Sequence, residues 1–505
     1  MAIVSDILKK AKEVVTTYRP EPEIGEVGEV LEVQDGVARV RGLRQAMLGE
    51  VLLFGRKSLR GQVLGLEREC IQCVLFGDYT TLRTGDLVFR TGNFLEVPAG
   101  EELLGRVVNP LGEPLDGESE PACRGRRRVF SPAPSVTDRI PVQRPLLTGI
   151  KIIDAMIPLG KGQRELIIGD RRTGKTTIAL DTILNQKGKG VLCIYVAIGQ
   201  RLANTIQVVE VLRKFKALEY TIVVATSSED PPALVYLAPY AGCAIGEYFM
   251  EQGDDVLVVY DDLTKHAAAY RSLSLLLRRP PGRESYPGDI FYVHSSLLER
   301  SAQLAVSRGG GSMTALPIVE TQEGDITSYI PTNIISITDG QIYLASELGN
   351  RGFFPAINIG LSVSRVGGEA QTPVMKKVAR RLRLDLAQYF ELEEFARFGA
   401  DLDEVTRKQL EHGKRVLELL TQKHFSPLPL GVEIFEIFAA TKGFIDTIPL
   451  EKVKSWEEQL IEHLQGEYQP LLERLEKERD LTPDLEEEMG KILAAFNAKF
   501  LSEET

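Results

Sequence analysis

The sequence predicts a multidomain protein with an N-terminal small β-barrel, a central α/β domain and a C-terminal α-helical bundle. From about residue 24 to 90, short β-rich segments alternate with glycine and aspartate turns and show no helical period, which is typical of a small barrel. Over 91–372, strand-like and helical stretches alternate, which predicts a mostly parallel sheet. From Pro373 to residue 505 strand signals nearly vanish and helical patterns predominate.

A separate segment, residues 1–23, precedes the barrel. Apolar residues recur at spacings of three and four between Val4 and Tyr18, which predicts an amphipathic helix. Pro20 and Pro22 end it, because proline cannot continue a helix. The apolar stripe can pack on another subunit or on the chain itself, and the pattern alone leaves both open.

Composition narrows the class of protein. With 43% apolar and 26% charged residues over 505 positions, the chain is typical of a soluble protein of roughly three domains. The net charge of −11 argues against a nucleic-acid partner, since such proteins normally carry a basic patch. We find no apolar run long enough to span a bilayer and no signal-peptide core, and we therefore expect a cytosolic location. The odd count of five cysteines argues against a disulfide framework, and Cys70 and Cys73 are expected to be buried structural thiols.

The segment Gly169–Thr176 fits the phosphate-binding pattern G-x-x-x-x-G-K-[ST] of nucleoside triphosphatases. An apolar run at 166–168 leads into it and a helix-compatible stretch at 177–184 leads out, which is the context that the motif needs. Glycines let the backbone N–H groups face phosphate oxygens, and the helix N-terminus adds partial positive charge. The predicted nucleotide-binding residues here are Gly169, Asp170, Arg171, Arg172, Thr173, Gly174, Lys175, Thr176 and Thr177. Lys175 is expected to reach the β- and γ-phosphates, and Thr176 to ligate Mg²⁺.

A second apolar strand, 256–260, ends in Asp261 and Asp262. A carboxylate at the end of a buried parallel strand beside a phosphate loop can hold the Mg²⁺ shell. We predict Asp261 for this role because it is the first carboxylate after the strand.

A third strand, 193–198, is followed by Gly199 and Gln200. The end of this strand is expected near the γ-phosphate, where a hydrolase of this layout needs a carboxylate to polarise the attacking water. Gln200 can hydrogen-bond a water but cannot accept its proton. Because the loss of a general base typically costs about 10²–10⁴ in rate, the sequence predicts a site that binds ATP and hydrolyses it poorly.

Several segments together resemble the alpha subunits of F-type ATP synthases, and the similarity covers essentially the whole chain. The segments are 355–365, 169–176, 260–262, 278–284, 198–200, 337–341 and 401–403. The resemblance implies a RecA-like P-loop nucleotide-binding domain that binds Mg²⁺ and ATP or ADP at a non-catalytic site. It also implies that Arg365 acts in trans as an arginine finger on the neighbouring subunit's nucleotide. Ser362 is expected to support the loop that presents Arg365.

The resemblance also implies partners. In that family, alpha subunits alternate with catalytic beta subunits in a hexamer around a central shaft, and the complex couples ATP synthesis or hydrolysis to ion transport by a membrane sector. The helix predicted within residues 1–23 would meet the peripheral stalk. The implied location is the cytoplasmic face of an energy-transducing membrane, as a peripheral protein, with no nucleic acid bound.

The sequence departs from the family pattern near the base. Arg172 occupies a position where glutamine is common in the family. Its side chain can tighten nucleotide binding, form an ion pair with a nearby acidic group, or be solvated. Phe353 and Phe354 replace an Ile-Arg pair that lies near the adenine in the family, and 422–424 is usually richer in glutamine. The residues expected at the base are Phe354, Pro355, Gln422 and His424. Phosphate recognition is expected to persist, while base recognition is expected to be weaker or to admit other bases.

Two other functions compete with this interpretation. The first is a self-sufficient catalytic hexameric P-loop ATPase, against which Gln200 argues. The second is an RNA-translocating hexameric ATPase, which requires exposed aromatic side chains and a basic groove on the barrel. The aromatic residues of the barrel region are predicted to be core residues because they lie largely in apolar runs: Phe54, Phe76, Tyr79 and Phe89.

Overall fold

The computed structural model describes residues 26–55, 59–397, 403–478 and 480–503. The chain divides after Leu95 into two compact units. The helix predicted within 1–23 lies outside the described residues, as do Asp401 and Leu402 of one resembling segment. Within the described ranges, no helix combines the length and apolarity that crossing a membrane requires.

The first unit is a closed barrel of six antiparallel strands in the order β1-β2-β5-β4-β3-β6. Its strands are β1 (Val27–Gln34), β2 (Val37–Arg41), β3 (Glu50–Phe54), β4 (Leu59–Leu66), β5 (Ile71–Phe76) and β6 (Leu87–Phe94). Side chains that alternate along the strands fill the interior, among them Val30, Leu52 and Cys73. The predicted N-terminal barrel is confirmed.

The aromatic residues of the barrel do not all lie in its core. Phe54 and Phe76 are buried and Tyr79 packs against the core, as predicted. The prediction for Phe89 is wrong, because its side chain is 42% exposed. Neighbouring residues of β6 point to opposite faces, and Val88 takes the inward position. An apolar run therefore did not reveal which of its members face the solvent.

The second unit contains an eight-stranded sheet in the order β18-β17-β12-β16-β15-β13-β14-β8, in which only β18 is antiparallel to its neighbour. Two short ribbons, β7 with β9 and β10 with β11, accompany it. The strands are β7 (Glu96–Ala99), β8 (Val107–Val108), β9 (Gly125–Arg128), β10 (Pro145–Leu146), β11 (Leu159–Gly160), β12 (Leu166–Gly169), β13 (Val191–Gln200), β14 (Thr221–Ser227), β15 (Asp255–Asp261), β16 (Ser312–Glu320), β17 (Gly340–Leu344) and β18 (Val363–Ser364). This sheet confirms the predicted α/β domain.

Helices flank the sheet and then form the C-terminal region. They are α1 (Lys151–Met156), α2 (Lys175–Leu184), α3 (Leu202–Lys214), α4 (Pro232–Gln252), α5 (Leu263–Leu276), α6 (Ile290–Leu298), α7 (Tyr329–Ile337), α8 (Ser346–Asn350), α9 (Pro373–Val378), α10 (Leu382–Arg397), α11 (Glu404–Leu420), α12 (Leu430–Thr441), α13 (Val453–Glu467), α14 (Gln469–Lys477) and α15 (Pro483–Glu503). One hydrophobic core runs from the sheet into these last helices, where Phe435 and Trp456 are fully buried. The predicted C-terminal helical domain is confirmed.

A buried ion pair fixes α4 to the segment after α6. Arg300 is 1% exposed and donates to both carboxylate oxygens of Glu247, at 2.7 and 2.6 Å, and to the carbonyl of Val129 at 2.7 Å. Removing one member of a buried pair leaves an uncompensated charge, which typically costs about 3–5 kcal/mol. We therefore expect Glu247→Ala to lower the denaturant midpoint of this unit strongly. Glu251→Ala is the matched control on the same helix, since Glu251 pairs with Arg127 at the surface, and a surface pair is worth at most about 1 kcal/mol. Equal midpoints for the two variants would contradict the expectation.

Candidate nucleotide-binding site

The residues predicted for the phosphates and for magnesium lie together at the carboxyl ends of the parallel strands. β12 ends at Gly169, which pairs with Glu320 on β16 and with Leu344 on β17. On the neighbouring strands, Ala197 of β13 pairs with Asp261 of β15. Because these strands are parallel, their carboxyl ends meet at one edge, and this edge is where α/β proteins bind ligands.

Asp170 holds the start of the phosphate loop in place. Its carboxylate accepts hydrogen bonds from Thr321 Oγ1 at 2.6 Å, from the backbone N–H of Gly324 at 2.9 Å and from Ser346 Oγ at 3.1 Å. Burial acts to raise its pKa, but these hydrogen bonds outweigh burial and the pKa lies below its ordinary value. Asp170 therefore anchors the loop to two neighbouring segments and stays ionised.

Lys175 lies folded into the loop. Its side chain is 7% exposed, and Nζ donates to the carbonyl oxygens of Gly169 at 2.9 Å and Asp170 at 2.5 Å. Burial lowers the pKa of this ammonium. A cation already removed from water, whose hydrogen-bond acceptors among the described residues are backbone carbonyls, is well placed to favour a phosphate anion.

The other loop residues have distinct environments. Thr173 is buried and its hydroxyl donates to the carbonyl of Asp170 at 2.8 Å. Gly174 has φ +99°, which a residue with a side chain rarely adopts, and it leads directly into α2. Arg171 donates to Glu320 at 3.0 Å while largely exposed. Arg172 is exposed, also has positive φ, and forms no ion pair with any residue that the structure describes.

The side chains proposed for magnesium lie together. Thr176 Oγ1 donates to Asp261 Oδ2 at 2.7 Å, and the same carboxylate accepts from Tyr195 Oη at 2.7 Å and from Gln200 Nε2 at 2.8 Å. A hydroxyl and a carboxylate are oxygen ligands of the kind that Mg²⁺ takes together with phosphate oxygens and water. The donor set therefore fits Mg²⁺, and Tyr195 is a supporting residue that sequence reasoning missed.

Asp262 has a different task from Asp261. Its carboxylate caps α5 by accepting from the backbone N–H of Lys265 at 2.8 Å, and it pairs with Lys265 Nζ at 2.6 Å. Burial raises its pKa to about 6. With both oxygens bonded to residues of α5, Asp262 is not the carboxylate that contacts Thr176; Asp261 is.

Next to the phosphate loop is a narrow cleft. It is lined on one side by Thr173, Gly174, Thr177, Ile178 and Asp181, and on the other by Ile150, Phe354, Pro355, Gln422, Lys423 and His424. The rings of Phe354 and His424 meet edge to face with centroids 5.4 Å apart. All four residues predicted at the base therefore lie on this cleft.

The amide of Gln422 is committed to the backbone. Its Nε2 donates to the carbonyls of Gly149 at 2.7 Å and Ser426 at 2.8 Å, while Oε1 accepts from the N–H of Lys151 at 3.1 Å. In addition, the backbone N–H of Gln422 donates to the carbonyl of Phe354 at 2.7 Å. Gln422 therefore forms part of the wall of the cleft, and its role towards a nucleotide stays a prediction.

Asp181 is the cleft residue that sequence reasoning missed. It lies on α2, is 7% exposed, and its Oδ1 is buried without a hydrogen-bond partner among the described residues. Burial raises its pKa to about 7, and the backbone N–H groups of Phe425 and Ser426 act in the opposite direction. The sequence offered one sign of this residue, because Asp181 is an aspartate among mostly apolar residues two turns into the helix that follows the phosphate loop.

Ser362 lies at the start of the segment that carries Arg365. It is fully buried, its Oγ donates to the carbonyl of Asn358 at 2.6 Å, and it accepts from the N–H of Tyr343 at 2.9 Å. Arg383 donates to the carbonyl of Ser362 at 2.7 Å. These bonds hold the segment against β17, and the role expected for Ser362 in presenting Arg365 stays a prediction.

Arg365 lies at the amino ends of the parallel strands, whereas the phosphate loop lies at their carboxyl ends. Its N–H donates to the carbonyl of Asp339 at 2.8 Å, immediately before β17 begins, whereas Leu344 at the other end of β17 pairs with Gly169. At a rise of about 3.3 Å per residue, the length of β17 places roughly 15 Å between the two ends. The exposed guanidinium is therefore remote from the chain's own phosphate loop.

The fold and the site define a P-loop nucleotide-binding protein with an N-terminal barrel and a C-terminal helical domain. Three family models match the chain: the ATP synthase alpha/beta family beta-barrel domain at residues 24–92, the nucleotide-binding domain at 149–364 and the C-terminal domain at 371–496. The chain belongs to the ATP synthase alpha/beta family, whose members are nucleotide-binding subunits of ATPases and ATP synthases.

Proposed function

We propose that the chain is the alpha-type, non-catalytic nucleotide-binding subunit of a rotary F-type ATP synthase. In this proposal it binds Mg²⁺ with ATP or ADP at its own phosphate loop and supplies Arg365 to the catalytic site of a neighbouring beta-type subunit. The observation that carries the non-catalytic assignment is Gln200. This residue occupies the end of β13, beside Asp261, with an amide where catalysis requires a base.

Binding at the chain's own site follows from the loop geometry. Backbone N–H groups of 169–176 and the N-terminus of α2 are suited to hold the phosphates, and Lys175 adds a desolvated positive charge. When bound, Mg²⁺ would neutralise charge on the β- and γ-phosphate oxygens next to Thr176 and Asp261. Gln200 donates to Asp261 and can orient water, but it cannot take up the proton of an attacking water.

Action of Arg365 in trans is supported by its position. The guanidinium is exposed, and within the described ranges its hydrogen bond is a long one, 3.4 Å, to the carbonyl of Ile335. Because β17 separates it from the chain's own loop, a phosphate that it contacts must belong to another subunit. A planar guanidinium can stabilise the charge that spreads over the equatorial oxygens of a transferring phosphoryl group.

The proposed assembly extends beyond this chain. Beta-type subunits would alternate with it in a hexamer around a central shaft, and a membrane sector would couple rotation to ion transport. The helix predicted within residues 1–23 would contact a peripheral stalk, and the complex would lie on the cytoplasmic face of the membrane. Family membership supports a hetero-oligomer of this kind.

The test is steady-state ATP hydrolysis by the purified chain alone and after mixing with its beta-type partner, with nucleotide binding followed in parallel. We expect the isolated chain to bind ATP without measurable turnover, and turnover to appear when the partner is added. Robust turnover by the isolated chain would overturn the proposal and favour a self-sufficient catalytic ATPase.

A further inference from the structure

A buried acid lies directly before β12, at the amino ends of the parallel strands. Glu165 is fully buried, and its backbone N–H donates to the carbonyl of Ala315 at 3.0 Å, which fixes its place beside β16. Its Oε2 accepts a hydrogen bond from Gln163 Nε2 at 2.8 Å, whereas Oε1 has no hydrogen-bond partner in the described part of the chain. Buried polar atoms normally have a partner, so this carboxyl is an exception that points to a further role.

Gln163 joins this acid to the segment that carries Arg365. Its Nε2 donates to Glu165 Oε2 and, at 3.1 Å, to Ser364 Oγ, while its Oε1 accepts from the backbone N–H of Gly160 at 2.8 Å. Because both hydrogens of the amide are used, the acceptor on Glu165 helps to fix which way the amide of Gln163 points. The hydroxyl held at the other end belongs to Ser364, the residue immediately before Arg365.

Glu165 also lies against the backbone of β17 and β18. Gly340 on β17 pairs with Ser364 on β18. A Cβ added to Gly340 would lie 2.6 and 2.8 Å from the two carboxyl oxygens of Glu165 and would collide with the carbonyl of Val363, so glycine leaves the room that the acid needs. Since β18 is a two-residue strand at the edge of the sheet, the side-chain bonds of Gln163 add to the few ladder bonds that hold it.

Glu165 is a neutral acid beside the cation of Arg365. Burial raises the pKa of this carboxyl well above its ordinary value, and Asp339 acts in the same direction, while Arg365 acts to lower it. The acid is therefore protonated near pH 7 and does not neutralise the guanidinium. An ionised carboxylate at this position would compete with a phosphate for Arg365, so a neutral hydrogen-bonding group suits an arginine that must contact another subunit.

We propose that Glu165 is a positioning residue for Arg365 and that it acts through Gln163 and Ser364. The inference rests on the proposed action of Arg365 in trans and deepens it by naming what fixes the segment that presents the guanidinium. A guanidinium fork stabilises a transferring phosphoryl group only when it meets the oxygens, and a misplacement of about 1 Å can cost about a hundredfold in rate. Loss of the link is therefore expected to impair the geometry of Arg365 while leaving its charge intact.

The informative variants are Glu165→Met and Glu165→Gln. Methionine keeps a long unbranched side chain but removes the acceptor that orients Gln163, whereas glutamine keeps an acceptor and is neutral like the protonated acid. Both are measured in the complex reconstituted with the beta-type partner, with the assembly verified by size-exclusion chromatography. We expect Glu165→Met to lower kcat for ATP hydrolysis by about tenfold to a hundredfold with KM unchanged, because the affected contact is made in the transition state. Glu165→Gln is expected to turn over like the natural chain.

A double variant separates positioning from a general loss of stability. In a chain that already carries Arg365→Lys, Glu165→Met is expected to cause no further loss, whereas structural damage would lower turnover in either chain. Glu433→Met is the matched control, because Glu433 on α12 is another fully buried acid of the same unit, and its replacement is expected to leave turnover unaltered. If Glu165→Met does not fold, Ser364→Ala removes the hydroxyl at the other end of the link and is expected to show the same loss with the same dependence on Arg365.

The outcomes distinguish this inference from the proposed function. Normal turnover by an assembled Arg365→Lys complex would overturn both. A large loss with Arg365→Lys but normal turnover with Glu165→Met, or with Ser364→Ala where that variant is used, would overturn the role of Glu165 alone. A Glu165→Gln complex as slow as Glu165→Met, an equal loss with Glu433→Met, or a further loss in the double variant would also overturn it.

Discussion

Arg365→Lys is expected to preserve the assembly with beta-type subunits and to lower the rate of multi-site ATP hydrolysis strongly. Lysine keeps the charge but loses the planar fork with which arginine contacts two phosphate oxygens at once. Removing an arginine finger typically costs about 10³–10⁵ in turnover, and we expect the lysine variant to approach that loss. The measurement is steady-state turnover by the reconstituted complex at saturating ATP, with the assembly verified by size-exclusion chromatography.

A matched control is Arg380→Lys, an exposed arginine of the same unit. This change is expected to leave turnover unaltered. Near-normal hydrolysis by a correctly assembled Arg365→Lys complex would refute the role of Arg365 in trans. The chain's own nucleotide site provides a second readout, because Arg365 lies at the opposite edge of the sheet and its replacement should not change ATP binding there.

Lys175→Ala is expected to abolish nucleotide binding at the chain's own site while leaving part of the turnover at the neighbouring site. The ammonium is buried against the carbonyls of Gly169 and Asp170, and its loss removes charge-assisted hydrogen bonds to phosphate. We expect ATP affinity to fall by at least about a hundredfold. Binding is measured on the full chain alone, and turnover on the complex.

The control for this prediction is Lys187→Ala, which removes an exposed lysine just beyond the far end of α2. Thermal unfolding of both variants checks that the carbonyls left by Lys175 do not destabilise the fold. Complete loss of hydrolysis in an intact Lys175→Ala complex would be incompatible with a purely non-catalytic site, since the catalytic sites would then depend on it.

The sequence predicted those parts of the site that are continuous in the chain. The phosphate loop is one such part, because the strand, glycines and helix that position it are adjacent residues, and their pattern implies their geometry. Asp261 was predictable for the same reason, as the first carboxylate at the end of a buried strand. The three-domain architecture followed from hydrophobic periodicity, which is the strongest signal that a sequence carries about its fold.

The base cleft was less predictable because distant segments build it. Ile150, Asp181, Phe354 and His424 meet only in the folded chain. The resemblance implied that Phe354, Pro355, Gln422 and His424 lie there. It did not reveal that the Gln422 amide bonds the backbone or that Asp181 Oδ1 has no hydrogen-bond partner among the described residues. The exposure of Phe89 shows a similar limit, because an apolar run has no strict alternation from which to tell the inner face from the outer one.

The cleft wall has a mechanical consequence. Gln422 and His424 follow α11 in the helical domain, whereas Phe354 and α2 belong to the sheet domain, and Lys423 is tied to Glu458 on α13 at 2.6 Å. A nucleotide bound in the cleft would contact residues of both domains at once. By linkage, each tenfold excess of nucleotide over its dissociation constant adds about 1.4 kcal/mol of resistance to any motion that opens the cleft. A bound nucleotide would thus raise the free energy needed to separate the helical domain from the sheet domain.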